Sequence, residues 1–195
     1  MSFKISAQKF YNDFAPNYES KFCGSQGDAQ HVNEAAAIFH KYHRNNHGHI
    51  LDIGCGTGLL KDLLQGEFEY TGIDVFENML HYASERGYKV IHQSVVDALP
   101  EIPDASYDFV FALSSLLFVE DIHPILTHIS RIARQSILLS LDEVTQEYRN
   151  NFTVAVFDHS KVHISGAKED YLIRGWTSCT TGITVNTRMI YVPKI

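Results

Sequence analysis

The sequence predicts an α/β fold, a doubly wound and mostly parallel sheet with helices on both faces. Apolar runs of strand length alternate with amphipathic stretches of helical length along most of the chain. The runs are too continuously apolar to be half-exposed antiparallel strands, so both their faces must be covered. A third observation locates the working edge of such a sheet. In HILDIGCGTGLL, His49 to Leu60, three glycines fall within five positions directly behind the first apolar run.

In chain order, an aromatic-rich segment, FYNDFAPNYESKF, comes first, followed by a helix over Val32–His43 around Ala35-Ala36-Ala37-Ile38-Phe39. Five strands follow, at Ile50–Ile53, Tyr70–Ile73, Lys89–Val95, Tyr107–Leu113 and Ser136–Leu141. Between them lie helices at Leu59–Gln65, at Asn78–Arg86 with Gly87 as C-cap, and at Ile122–Ala133 with Pro124 in its first turn. In the last of these Ile125, Leu126, Ile129, Ile132 and Ala133 recur at the helical period, so that face packs on the sheet. After Leu141 the alternation weakens. Asn151–Phe157, Tyr171–Trp176 and Ile183–Val192 read as β, between turn-prone stretches holding Gly166, Gly175 and Gly182, and are expected to complete the sheet and add a loop-rich cap.

A chain of 195 residues, 45% hydrophobic and 12% aromatic, suits one globular domain. The formal charge of −7 and pI near 5.8 provide no basic footprint for nucleic acid or an anionic membrane, which favours small-molecule or protein substrates. Cys23, Cys55 and Cys179 lack metal or redox spacing, pointing to a reducing compartment. MSFKISAQKF has no signal-peptide core and no stretch approaches a membrane span, so a cytoplasmic protein is expected. Oligomeric state is not legible.

A strand ending in glycines and running into a helix puts unshielded backbone N–H groups at the carboxyl edge of a parallel sheet, where open α/β folds bind ligands. Dinucleotide sites favour G-x-G-x-x-G, whereas Gly54, Gly56 and Gly58 are spaced G-x-G-x-G, which argues against a pyrophosphate. Asp52, between Leu51 and Ile53, is expensive to bury unless paired, and serves either as an anchor for the loop or on the ligand side. The next strand ends in TGIDV, placing Asp74 sixteen residues after Gly58. A carboxylate there can accept from both hydroxyls of a ribose, or can cap the following helix.

LDIGCGTG resembles motif I of the class I S-adenosylmethionine-dependent methyltransferases, with Asp52 at the family's acidic position, and the resemblance extends over most of residues 47 to 141. It implies a Rossmann-like, seven-stranded sheet whose last strand is antiparallel, with S-adenosylmethionine as cofactor and the first and fourth strands adjacent. GIDVFENML resembles the stretch in which the residue after the acid packs on adenine, which implies Val75, with Met79 adding to the apolar wall. In VIHQSVVDALPEIPDASYDFVFAL the family's acidic contact to the adenine amino group falls on Val95. That contact then passes to Asp97 or water, Asp97 being otherwise a solvated loop carboxylate, while the Val96 N–H remains available to the ring. Asp108 matches an architectural position, and Ala112 and Leu113 fall where a backbone carbonyl faces the cofactor's ammonium. FYNDFAPNYESKF resembles the Y-x-x-x-A-x-x-Y lid that folds over bound cofactor, which implicates Tyr11 and Tyr18; core packing of an amphipathic helix is the competing reading. The chain then divides into a lid over 1–30, a cofactor core over 31–142 and a cap over 143–195.

Methyl transfer from a sulfonium is an in-line displacement, and the protein must chiefly align the acceptor and exclude water. No general base stands out. His123 and His159 lie where a small-molecule acceptor could sit, but read equally as surface histidines, and Tyr148, Tyr171 and Trp176 are candidate pocket residues or core. In HKYHRNNHGH the spacing of His40, His43 and His47 would let them share a helical face, yet without carboxylate or cysteine partners at ligand spacing no metal site is expected. Two other readings stand beside methyl transfer: an NAD(P)-dependent oxidoreductase, which lacks a recognisable hydride-transfer dyad, and a cofactor-binding partner subunit without catalysis, which the Val95 departure keeps open.

Overall fold

The computed structural model describes residues 7–18, 30–44, 46–151, 155–177 and 183–194. Most of the expected lid beyond Tyr18, together with Cys23, Cys179 and Gly182, lies outside the described residues. Seven strands form one sheet: β1 (His47–Ile53), β2 (Glu67–Asp74), β3 (Lys89–His92), β4 (Tyr107–Leu113), β5 (Ala133–Asp142), β6 (Glu169–Thr177) and β7 (Thr184–Pro193). Their order is β3-β2-β1-β4-β5-β7-β6, with β7 antiparallel to both its neighbours and the other pairs parallel. The expected fold is therefore present, including the adjacency of β1 and β4.

The sheet is coated on both faces because its strands alternate two apolar sets. Ile50, Phe109, Phe111 and Leu138 face one core, which α2 (Gln30–Tyr42), α3 (Leu60–Leu63) and α4 (Glu77–Glu85) close with Phe39, Leu60 and Leu80. Leu51, Val110, Ala112 and Leu139 face the other, closed by α5 (Val95–Glu101) and α6 (Ile122–Ile132) through Leu99, Ile125, Ile129 and Ile132. Period-two alternation with both sets apolar reads in sequence as a continuous run. Phe39 is fully buried, with the rings of Phe109 and Phe68 edge-on at 4.9 and 5.6 Å. Asp108 has the architectural place expected of it, accepting from His49 N at 2.9 Å and from Arg134 and Gln135, and so tying β4 to β1 and β5.

Several boundaries differ from the sequence reading. The strand expected to run to Val95 stops at His92, because Ser94 caps a helix: its Oγ accepts from Asp97 N at 3.2 Å and α5 begins at Val95. Asn151–Phe157 does not begin as a strand; α7 (Gln146–Asn151) occupies its start, with Thr145 Oγ1 accepting from Tyr148 N. Residues 152–154 lie outside the described residues. The helix expected over Leu59–Gln65 is a single turn. Gly87 terminates α4 as expected, at φ +85°. N-terminally, α1 (Ala7–Phe14) and the turn Ala15–Asn17 lie against α4.

Candidate functional site

The carboxyl ends of β1, β2, β4 and β5 lie along one edge, since their registers pair Ile53 with both Ile73 and Ala112, and Leu113 with Ser140. The loop after β1 puts all three of its glycines at positive φ, +67°, +54° and +79°, yet each clears a different space. A Cβ on Gly54 would stand 2.1 Å from Cβ of Ser115, whose Oγ donates to the Ile53 carbonyl at 2.7 Å. At Gly58 a Cβ would meet the Tyr88 ring at 2.9 Å. Only at Gly56 is there open space. The first and third glycines therefore allow chain segments to close on each other, and the middle one exposes backbone.

Asp74, 7% exposed, organises that backbone. Its Oδ2 accepts from Gly56 N at 2.9 Å, and its Oδ1 accepts from Val75 N at 2.7 Å and Phe76 N at 3.0 Å. Burial lifts its carboxyl above the ordinary range, against the lowering effect of those three N–H groups. Asp74 does not cap the following helix, whose N-cap Phe76 has no side-chain cap bond; its carboxylate instead holds the turn before α4 and borders the cavity.

Asp52 lies deeper. Tyr88 Oη donates to its Oδ2 at 3.1 Å, and burial pushes its carboxyl up to about 7, partly offset by that hydrogen bond. It borders a small side pocket of about 60 Å³ behind the loop rather than the main cavity.

The main cavity, about 250 Å³, runs along this edge. Of the residues singled out from sequence it brings together Tyr11, Tyr18, Gly54, Gly56, Asp74, Val75, Met79, Val96 and Leu113. Val75 and Val96 flank it with side chains 41% and 55% exposed, unusual for valine. Tyr11 stacks on Phe76 at 4.9 Å and meets the edge of Phe118 at 6.5 Å, and Asn12 binds Asn78 through two hydrogen bonds.

Four residues lie off the cavity wall. Asp52 and Gly58 face behind the loop, Ala112 is fully buried in the sheet one residue short of the tip, and Asp97 is turned to Ser94, whose Oγ donates to its Oδ2 at 2.6 Å. The histidine and aromatic candidates separate similarly. Tyr148 lines the cavity, whereas His159 contacts the Val119 carbonyl at 2.7 Å, His123 is exposed on α6, and Tyr171 points outward to Glu34. The side chain of Trp176 lies outside the described residues. His40, His43 and His47 do not converge: His40 reaches Leu63, His43 bonds Ser136, and His47 opens β1.

Sequence reading missed the tip of β5. Asp142, 6% exposed, borders the cavity beside Ser114, a non-glycine at φ +50°. Its Oδ1 accepts from Thr187 Oγ1 at 2.6 Å and from Ser114 Oγ at 3.0 Å. Burial raises its carboxyl to about 6, against those two hydroxyls. The signal was available, because SILLSLD ends an apolar strand on an acid as TGID does.

Open backbone at Gly56, a carboxylate at the neighbouring strand tip and exposed apolar walls fit an adenosyl group, with no basic cluster for a pyrophosphate among the described lining residues. The fold is that of the class I methyltransferases. Residues 51–139 match the family model described as a methyltransferase domain. Over those residues the chain is similar to the class I S-adenosylmethionine-dependent methyltransferases, a family whose cofactor is S-adenosylmethionine.

Among characterised proteins it is 33% identical over 102 residues to 27-O-demethylrifamycin SV methyltransferase of Amycolatopsis mediterranei, covering 48% of this chain and 38% of that protein. It is 31% identical over 109 residues to O-methyltransferase cnsE of Penicillium expansum, covering 51% and 39%. The matched region thus spans less than two fifths of either relative. Magnesium protoporphyrin IX methyltransferase of Synechocystis, with S-adenosylhomocysteine bound, shares the fold at TM-score 0.69 and 16% identity, over 96% of this chain and 98% of that one.

Proposed function

We propose that this protein transfers the methyl group of S-adenosylmethionine to a small-molecule acceptor by in-line displacement. The observation that carries the reading is the joint between Gly56 and Asp74: a loop with no side chain in the way, held by the acid beside it. Three N–H groups occupy part of the acceptor capacity of Asp74, and a carboxylate has about four lone-pair sites, so room remains for ribose hydroxyls on a prepaid geometry. Val75 and Met79 supply an apolar wall for adenine, the Val96 N–H lies at its edge, and the Leu113 carbonyl is the partner for the cofactor's ammonium.

The bound cofactor supplies an electrophilic sulfonium methyl. What the chain contributes is placement and dryness. Tyr11 and Tyr18, which line the cavity, serve on this reading as its lid and as aromatic faces toward the sulfonium. None of this requires a charged catalytic group at the methyl itself.

The test is ligand-dependent melting and titration. S-Adenosylhomocysteine is expected to raise the melting temperature with concentration while NAD leaves it unchanged. Asp74→Ala is expected to weaken S-adenosylhomocysteine binding at least tenfold by calorimetry, and an unchanged dissociation constant would remove Asp74 from the ribose contact. Binding without turnover on any acceptor would favour a non-catalytic partner subunit.

A further inference from the structure

The lining of the main cavity is unbalanced in charge. Among the described residues it contains two carboxylates, Asp74 and Asp142, one histidine, His31, and neither lysine nor arginine. Asp74 is committed to the glycine loop and, on the reading above, to the ribose. Asp142 has no such duty. It ends β5, one strand beyond β4 in the order β2-β1-β4-β5, and so stands past the methionine end of a cofactor laid across β2, β1 and β4.

Its environment is built. Both hydrogen bonds made to its carboxylate among the described residues, from Thr187 and Ser114, fall on Oδ1. They fix the plane of the group, and no described residue donates to Oδ2; besides a small pocket shared with Leu117 and His159, Asp142 borders the main cavity. Phe118 and Tyr148 line the same space, the latter almost buried. With its carboxyl held near 6, Asp142 is ionised at neutral pH. A buried carboxylate with one oxygen unengaged is unfavourable until a donor, best a cationic one, reaches it.

We infer that Asp142 is the acceptor-binding residue and that the acceptor is an amine, its ammonium docking on Oδ2 in the space lined by Phe118 and Tyr148. The carboxylate takes the ammonium proton, and the freed nitrogen lone pair forms the new C–N bond as the methyl–sulfur bond of the cofactor breaks, leaving S-adenosylhomocysteine. This rests on the methyltransferase reading above. Anionic acceptors such as phosphates and carboxylates are selected against, because the described lining holds two carboxylates and neither lysine nor arginine. A hydroxyl acceptor could donate to the same oxygen but would gain no charge pairing, and that difference is measurable.

Protein saturated with S-adenosylhomocysteine is titrated calorimetrically with 2-phenylethylamine and with its neutral counterpart 2-phenylethanol at pH 7.5. The wild-type protein is expected to bind the amine at least tenfold more tightly than the alcohol. Asp142→Asn should abolish that preference while leaving the S-adenosylhomocysteine dissociation constant within threefold. A purely structural Asp142 would not discriminate between the two probes. Equal affinities, a preference for the alcohol, binding of neither probe, or a preference surviving in the variant each overturn the inference. Should Asp142→Asn not fold, Asp142→Ser, which retains a hydroxyl toward Ser114 and Thr187, carries the same readout. Failure of S-adenosylhomocysteine to bind at all appears in the first titration and counts against the methyltransferase reading instead.

Discussion

At the scale of single residues, the glycine loop separates conformational need from spatial need. Gly54 and Gly56 have similar φ, so an alanine at either incurs left-handed strain, but only at Gly54 does the added methyl collide with Ser115. Gly54→Ala should therefore lower stability by about 3 kcal/mol, from overpacking plus strain, and Gly56→Ala by about 1 kcal/mol, from strain alone. Urea denaturation measures both, and equal losses would contradict the assignment of open space to Gly56. Asp52 carries a pH effect of definite sign. Its folded carboxyl sits near 7, well above an unfolded aspartate, so the native state holds a proton that the unfolded state releases. Stability from this group is full below about pH 4 and is lost as pH rises toward 7. Asp52→Asn should flatten that fall in a series of urea titrations from pH 4 to 8. Tyr88→Phe should steepen it, because the lost hydrogen bond favoured the ionised form. None of these distinctions is local: Ser115 and Tyr88 are remote in sequence from the glycines and acids they complete.

At the scale of elements, the strands were readable because their burial on two faces leaves an uninterrupted apolar string, as in LDIG and FVFAL. The errors fall where that condition lapses. β3 is an edge strand with three of four residues exposed, so its end carried no apolar boundary, and the cap pair Ser94 and Asp97 was passed over. Asp97 belongs to that cap: its carboxylate bonds Ser94 at the start of α5 and is not part of the cavity wall. α1 is attached to α4 by the Asn12–Asn78 pair and the Tyr11–Phe76 stack, a small interface for an element that borders the cavity. Removing the pair with Asn12→Ala should speed amide exchange over Ala7–Phe14 roughly fivefold, the equivalent of about 1 kcal/mol. S-Adenosylhomocysteine should slow exchange there in the wild-type protein. Unchanged exchange with ligand would detach α1 from any closing function.

At the scale of the whole molecule, the binding edge is the place where four parallel strands end together, so a ligand there joins segments from β1 to β5 that are otherwise connected only through the sheet. Its effect should be global. At a hundredfold excess over the dissociation constant, S-adenosylhomocysteine stabilises the native state by about 2.7 kcal/mol, and a chain of this length gains roughly 5–11 °C in melting temperature. A shift confined to α1, with the sheet melting unchanged, would show that the ligand does not seat on the strand ends. No described helix is long and apolar enough to cross a membrane.

The sequence by itself determined the alternation of strands and helices, the open loop after β1 and the acid ending β2, because each is written in consecutive residues whose pattern and spacing carry the physics. Tertiary structure alone decided which glycine of the loop has open space beside it, that Asp52 turns to Tyr88, and that Asp142 is held by Ser114 and Thr187. Those outcomes depend on strand order and register, which bring together side chains tens of residues apart, and no local pattern records which distant partner arrives.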